Sequence, residues 1–421
     1  MTDLIPMLQA FLGLGATVIL PVAIFIIGLG FGQSPAKAFR SGLTIGVGFT
    51  GIFLVVGLLC DNLGPAAQAM IKNFGIQLNI IDIGWPGAAS IAWASPVAAL
   101  VLPVGLLVNA IMLITKTTKT MDVDIWNYWH FTFMGAFVYA LSGSLVQAMI
   151  AAVLFEIVVL KIADWTAPYM EKYFDLEGIS VPTGSTVSYA PIGIPLIWLI
   201  QKIPVIKDLK ADPESIQKKF GIFGEPIFMG LFLGCLLGAL AGYGPGQIVK
   251  VGVAMAGVMV LMPRMVKILM EGLIPISESA REFLSKRFGA DANIYIGLDA
   301  AVTTGHPAVI ATALILVPIT ILLAVVLPGN NVLPFGDLAT IPFIVAMIVA
   351  AARGNIVHSV LAGSVVISMS LLMATAVAKF HTEMGLAAHF KMPEGTALIS
   401  SIDQGGNLIH FVIYQIFVLF N

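Results

Sequence analysis

Apolar runs and the short polar breaks between them set the first expectation for this chain. Stretches long enough to cross a bilayer, which takes about 20 residues, lie near residues 5–30, 41–60, 97–115, 224–243, 247–271, 306–327 and 356–377. Shorter or interrupted runs lie near 126–143, 145–163 and 338–352. Together they predict an all-α polytopic membrane protein with about ten crossings. Two polar stretches, 65–74 and 275–288, each follow a second crossing. In the latter, Ile276, Phe283, Leu284 and Phe288 share a helical stripe, with Glu278, Arg281, Glu282, Lys286 and Arg287 elsewhere. Both read as amphipathic arm helices at the membrane surface, the alternative being a solvated loop helix.

The pattern occurs twice. Ile19-Leu20-Pro21 answers to Gly224-Glu225-Pro226, Phe74-Gly75 to Phe288-Gly289, and Ile83-Gly84 with Ser95-Pro96 to Ile296-Gly297 with His306-Pro307. Gly143-Ser144-Leu145-Val146-Gln147 answers to Gly354-Asn355-Ile356-Val357-His358, and Glu177-Gly178 to Glu394-Gly395. The order is unchanged throughout, which predicts an internal repeat of five crossings per copy, the mark of transporters that bind solute between their repeats.

Composition agrees with a lipid-solvated chain: 58% hydrophobic and 10% charged residues, with mean hydropathy +0.98. Asp3 stands where a signal peptide would be basic, so the first segment is expected to be retained. Cys60 and Cys235 sit in apolar runs, which argues against a disulfide framework and against a phosphocysteine. With the N-terminus outside, one face collects 17 of the 21 Lys and Arg residues and the other only Lys72, Lys250, Lys379 and Lys391. The rich face is therefore expected to be cytoplasmic. Five is odd, so the second copy starts on the opposite side and the repeat is inverted. The same count leaves 177–204 starting and ending inside and 393–421 starting and ending outside. Both read as re-entrant hairpins, which membrane depth tolerates only where they line protein or a water-filled cavity.

Polar side chains at membrane depth are costly and mark candidate sites. Asp122 to His130 interleaves aromatic and hydrogen-bonding residues, among them Asn127 and His130, as a polyhydroxylated ligand requires; an interfacial aromatic belt is the alternative. Gly297 to Pro307 offers Asp299 and His306 against Gly84-Trp85-Pro86-Gly87 in the first copy, the alternative being a helix cap and a packed histidine. The hairpin tips offer Thr183-Gly184-Ser185 and Asp403-Gln404-Gly405-Gly406-Asn407, where glycine allows close backbone approach. Asp337, after Gly336, opens the ninth crossing or simply makes a turn. No metal-ligand spacing, phosphate loop or paired nucleophile and base is visible. Neither a cofactor, a catalytic residue nor a nucleic-acid partner is expected.

Asp122-Val123-Asp124-Ile125-Trp126-Asn127, Leu176-Glu177-Gly178-Ile179, Phe223-Gly224-Glu225-Pro226, Gly297-Leu298-Asp299, Leu333 to Thr340 and Asp403-Gln404-Gly405-Gly406 together resemble one family. It is the membrane (IIC) component of the galactitol-specific phosphoenolpyruvate-dependent phosphotransferase system, related in architecture to the ascorbate IIC components. The resemblance implies a homodimer in the bacterial inner membrane. It also implies a dimerising V domain (1–62 and 221–273), arms (63–80 and 274–290) and a mobile core (81–220 and 291–421) that moves like an elevator. IIA and IIB proteins would be the partners, phospho-IIB phosphorylating a polyol at the cytoplasmic face. Substrate contacts are implied near Trp85, His130, Glu177, Asp299 and His306, with Asn127, Thr183, Asp337, Asp403 and Gln404 close by. The sequence departs from the family in having Pro182-Thr183-Gly184 where members often carry Pro-His-Gly. It also lacks a final crossing past the second hairpin, so the chain reads as shortened. The rival class is an ion-coupled secondary transporter with Asp299, Asp337 or Asp403 as its ion site.

Overall fold

A computed structural model of the chain describes residues 16–74, 78–124, 127–211, 225–288, 294–334, 336–388, 390, 392 and 398–420. The start of the first apolar run, Gly75, Trp126, Gly224, Gly289, Phe335 and the Glu394-Gly395 pair lie outside these residues. In the first half the elements are α1 (Ala16–Gly30), α2 (Pro35–Phe74), β1 (Ile80–Asp82), α3 (Gly84–Ala94), α4 (Ala98–Ile114), β2 (Thr120–Asp122), α5 (Tyr128–Ser142), α6 (Leu145–Phe174), β3 (Ile179–Ser180), α7 (Gly184–Val187) and α8 (Ala190–Ile200). In the second half they are α9 (Pro226–Leu240), α10 (Pro245–Phe288), β4 (Tyr295–Gly297), α11 (Ala301–Thr304), α12 (Pro307–Val326), β5 (Val332–Leu333), α13 (Ile341–Ala351), α14 (Ile356–Ala387), β6 (Leu398–Ser400) and α15 (Leu408–Val418). The protein is thus mostly helical. Helices α6, α12 and α14 are long and apolar enough to cross a membrane. Large apolar side chains such as Leu54 (71% exposed), Ile114 (72%) and Val146 (70%) face outward, as they do on a surface solvated by lipid.

The two longest helices, α2 and α10, pack on each other, with α1 against α2 and α9 against α10. Small residues make the last contact close. A Cβ on Gly230 would lie 2.7 Å from the Met255 carbonyl oxygen, and one on Gly234 would lie 2.7 Å from that of Val251. Without a hydrophobic drive between helices in lipid, such approach supplies the dispersion contacts that hold them. Of the arms expected at 63–80 and 274–290, residues 63–74 and 274–288 continue α2 and α10 without a break. Pro65 and Pro275 each remove one backbone donor, and the helices run on through them. Beside Pro275 the helix is tied to the segment after α1: Gln33 donates through Nε2 to the Pro275 carbonyl (2.6 Å) and to Ser279 Oγ (2.9 Å).

The helical pattern gave no warning of two small parallel sheets. Strand β1 lies between β5 and β6, and β4 lies between β2 and β3. Ile80 pairs with Val332 and Leu398, and Asp82 with Ser400; Asp122 and Ser180 both pair with Gly297. These ladders satisfy backbone groups at the breaks between helices, where lipid offers no partner. Each sheet therefore takes its middle strand from one half and its edges from the other.

The turn after β1 is sterically exacting. Gly84 sits at φ +68°, and a Cβ there would lie 2.5 Å from the Gly336 carbonyl oxygen; a Cβ on Gly336 would run into the Gly84 nitrogen. Gly84→Ala is expected to cost roughly 1–3 kcal/mol in backbone strain alone, with the backbone clash added. Its melting temperature in detergent should fall and its size-exclusion peak should broaden. A wild-type melting curve would show that the turn relaxes.

Candidate functional site

Because the strands in each sheet are parallel, their C-terminal ends gather at one edge, and there the chain places its carboxylates. At the β5-β1-β6 edge, Asp82 accepts from the backbone N–H of Gly84 through Oδ1 (3.0 Å) and of Asp337 through Oδ2 (2.8 Å). Asp337 in turn accepts through Oδ1 from Trp85 N–H (2.8 Å) and Thr340 Oγ1 (2.9 Å), and through Oδ2 from Ser401 Oγ (2.7 Å) and Asp403 N–H (3.0 Å). At the β2-β4-β3 edge, Asp122 Oδ1 accepts from Asn127 Nδ2 (3.0 Å), and Asp124 Oδ2 accepts from Asp299 N–H (3.1 Å). Thr183 donates to Asn127 Oδ1 (2.9 Å) and accepts from Ala300 N–H (2.8 Å). All of these carboxylates are buried. Their hydrogen bonds offset a desolvation cost that would otherwise be prohibitive.

The two edges meet through the turns 183–185 and 403–407, where the hairpin tips are expected. Ser185, following β3, donates to Asp403 Oδ2 (2.7 Å), and Asn407, following β6, donates to the Gly184 carbonyl (3.1 Å). Gln404 Nε2 reaches Asp403 Oδ2 (2.6 Å) and His130 Nδ1 (3.1 Å), while the Gln404 backbone carbonyl meets His410 Nδ1 (3.1 Å). The tip is tight: a Cβ on Gly184 would lie 2.9 Å from His130 Cγ. Tyr189 holds the second tip from below, its hydroxyl donating to the Asp403 carbonyl at 3.0 Å. Asn407 also caps α15, its Oδ1 accepting from the N–H groups of Ile409 and His410. Several buried atoms here have no hydrogen-bond partner among the described residues: Asp403 Oδ1, Gln404 Oε1, Asp122 Oδ2, Thr186 Oγ1 and Ser188 Oγ. Buried polar atoms are normally paired, so these acceptors and hydroxyls make the junction the candidate ligand surface.

Of the residues singled out from sequence, Asn127, His130, Thr183, Asp299, Asp337, Asp403 and Gln404 come together in this network. Trp85 joins it through its backbone N–H, its ring half-buried. Asp299 also caps its own turn, accepting from Ala301 N–H at 2.7 Å. His306 stands elsewhere. It caps α12 through Nδ1 (3.2 Å from Ala308 N), with its ring 4.8 Å from Tyr173 and 5.5 Å from Phe174. Glu177 is exposed on the turn from α6 into β3. The residues that sequence reasoning passed over are Asp82, Tyr189 and His410. For two of them a signal existed: Asp82 interrupts Ile80-Ile81-Asp82-Ile83, and His410 interrupts Leu408-Ile409-His410-Phe411. An ionisable residue inside an apolar run is a site by default.

Over residues 10–395 the chain matches the family described as the sugar-specific permease component of the PTS system. The chain belongs to this family. It is 43% identical over 406 residues to the PTS system galactitol-specific EIIC component of Escherichia coli (strain K12), covering 96% of this chain and 89% of that relative. The same figures hold for the protein of that description from Escherichia coli O157:H7. A sugar-specific permease component must strip hydroxyl groups of water and replace each lost hydrogen bond. The turns 183–185 and 403–407 of this permease, with His130 beside them, carry carboxylate, amide, imidazole and hydroxyl groups of the kind such an exchange requires.

Proposed function

We propose that this chain is the substrate-translocating IIC subunit of a phosphotransferase system for galactitol or a closely related polyol. It would take its substrate from the outer side of the bacterial inner membrane and present it to phospho-IIB, itself recharged by IIA. The observation that carries this reading is the joining of the two hairpin tips by Ser185–Asp403, Asn407–Gly184 and Gln404–His130 around unpartnered acceptors. A polyol is a chain of hydroxyls, each both donor and acceptor, and Asp403, Gln404 and His130 complement it.

The recurrence of the first half's element order in the second, and the exchange of strands between the two sheets, support an inverted repeat about this point. The packing of α2 on α10, flanked by α1 and α9, supports a V domain that pairs with a second copy. The rest of the chain would then move past it as the elevator, with 81–220 and 291–421 as the core and the N-terminus outside. Substrate contact by Trp85, Asn127, His130, Thr183, Asp299, Asp337, Asp403 and Gln404 belongs to the same proposal. Glu177 and His306 would act nearer the cytoplasmic mouth.

Labelled galactitol offered to vesicles containing the chain is expected to be trapped as galactitol phosphate only when phospho-IIB is supplied. Accumulation of free galactitol driven by a proton or sodium gradient would overturn this reading in favour of ion-coupled transport.

A further inference from the structure

A cavity of about 1040 Å3 opens where the C-terminal ends of α6, α8 and α13 approach the start of α14. Its walls carry Lys172, Lys207, Lys210 and Arg353, and no carboxylate lines it among the described residues. All four cations are exposed, and none forms an ion pair with a described residue. Like charges converging on one concave space repel one another and focus a positive potential there. Such an arrangement is stabilised by an anion.

The wall is held in place by buried groups. His358, 3% exposed, bonds the Ile206 carbonyl through Nε2 at 2.9 Å. Asn355 donates to the Leu209 carbonyl at 2.8 Å, and the Ile356 N–H bonds the Ala211 carbonyl. The segment bearing Lys207 and Lys210 is thereby fixed on the start of α14. Here the two halves differ in kind, since Gln147 holds the position that His358 holds in the second copy. Gly354, at φ +77°, packs on the Tyr173 hydroxyl, which lies 3.4 Å from His306 Nδ1. The cavity therefore adjoins the one sequence-predicted histidine that the hairpin network leaves out.

Three further observations select the ligand. Arginine and lysine together are the usual partners of phosphate, one offering a planar fork and the other a point charge. The volume falls at the upper end of small-molecule sites, about 300–1,000 Å3, which suits a compact solute better than a flat protein face. Helix α13, with 11 residues, runs about 16 Å from the Asp337 turn to this cavity at 1.5 Å per residue. Its cations lie on the face where the Lys and Arg count puts the cytoplasm.

We infer that this cavity binds the phosphomonoester dianion of the phosphorylated polyol, holding the product at the cytoplasmic mouth after it leaves the hairpin tips. The inference rests on the transport reading above. Anionic lipid headgroups share this chemistry, so the test separates the two sources.

The full chain in nanodiscs of zwitterionic lipid is titrated with radiolabelled galactitol phosphate and, separately, with radiolabelled galactitol. The triple variant Lys207→Gln/Lys210→Gln/Arg353→Gln changes exposed side chains only. It is expected to bind galactitol phosphate at least tenfold more weakly while its galactitol affinity changes less than twofold. Equal galactitol phosphate affinity in both proteins would overturn the inference. So would an absence of galactitol phosphate binding while the variant, by native mass spectrometry, loses retained anionic lipid, since the cavity would then be a headgroup site. Wild-type protein that binds galactitol phosphate through these cations but never binds galactitol would sink the transport reading and leave the anion site standing.

Discussion

Asp337→Ala is expected to abolish galactitol uptake and to lower the melting temperature of the purified protein. The Asp337 carboxylate accepts from Trp85 N–H, Thr340 Oγ1, Ser401 Oγ and Asp403 N–H, and so ties the start of α3, the start of α13 and the second hairpin tip together. The two hydroxyls can turn to other acceptors; the two backbone donors cannot. Each stranded buried donor costs roughly 1–3 kcal/mol, a large share of a net stability of about 5–15 kcal/mol. Asp337→Asn keeps one carboxamide oxygen and should fall between wild type and Asp337→Ala. Thermal melts followed by size-exclusion fluorescence check the stability, and vesicle uptake with phospho-IIB checks the function. A wild-type melt for Asp337→Ala would mean that the four donors find other partners.

Asp403→Asn should separate binding from folding. Both Ser185 Oγ and Gln404 Nε2 donate to Oδ2 of Asp403, and an asparagine can keep an oxygen at that position. What changes is the other atom, Oδ1, an acceptor that no described residue meets; in the variant it becomes an NH2 donor. A hydrogen bond from a substrate hydroxyl to a carboxylate contributes about 1.5–3 kcal/mol, or about 10- to 150-fold in affinity. Galactitol binding measured on membranes should weaken by that factor while the melting temperature stays close to wild type. Unchanged affinity would remove Asp403 from the substrate surface and leave it as a strut between the tips.

Much of this arrangement could be read from the sequence because it is written in local signals. The Gly-rich turns at 183–185 and 403–407 pointed to Thr183, Asp403 and Gln404, and the interleaved aromatic and polar stretch from Asp122 to His130 pointed to Asn127. The matched Gly143-Ser144 and Gly354-Asn355 turns likewise appear as left-handed glycines followed by capping residues. The six strands left no such trace. At two or three residues each they are too short for alternation to show, and their partners lie far away in sequence. Asp82 was missed for the same reason: its role is to hold Asp337, and nothing near residue 82 announces that partner. The seven-residue spacing of Asp299 and His306 would put both side chains on one face of a single continuous helix. The chain breaks at Gly305 between α11 and α12, and the two side chains go separate ways.

The exchange of strands between the sheets has a consequence for how the molecule is made. When the first half has left the ribosome, β2 and β3 have no strand to lie between them, because β4 has not been synthesised; β1 likewise waits for β5 and β6. The nascent first half must therefore sit in the bilayer with unpaired backbone at its breaks, sheltered by water or by the insertion machinery, until the second half arrives. Neither half can complete either sheet alone. Expressed as two polypeptides cut between α8 and α9, the halves should be degraded singly and recovered only when produced together.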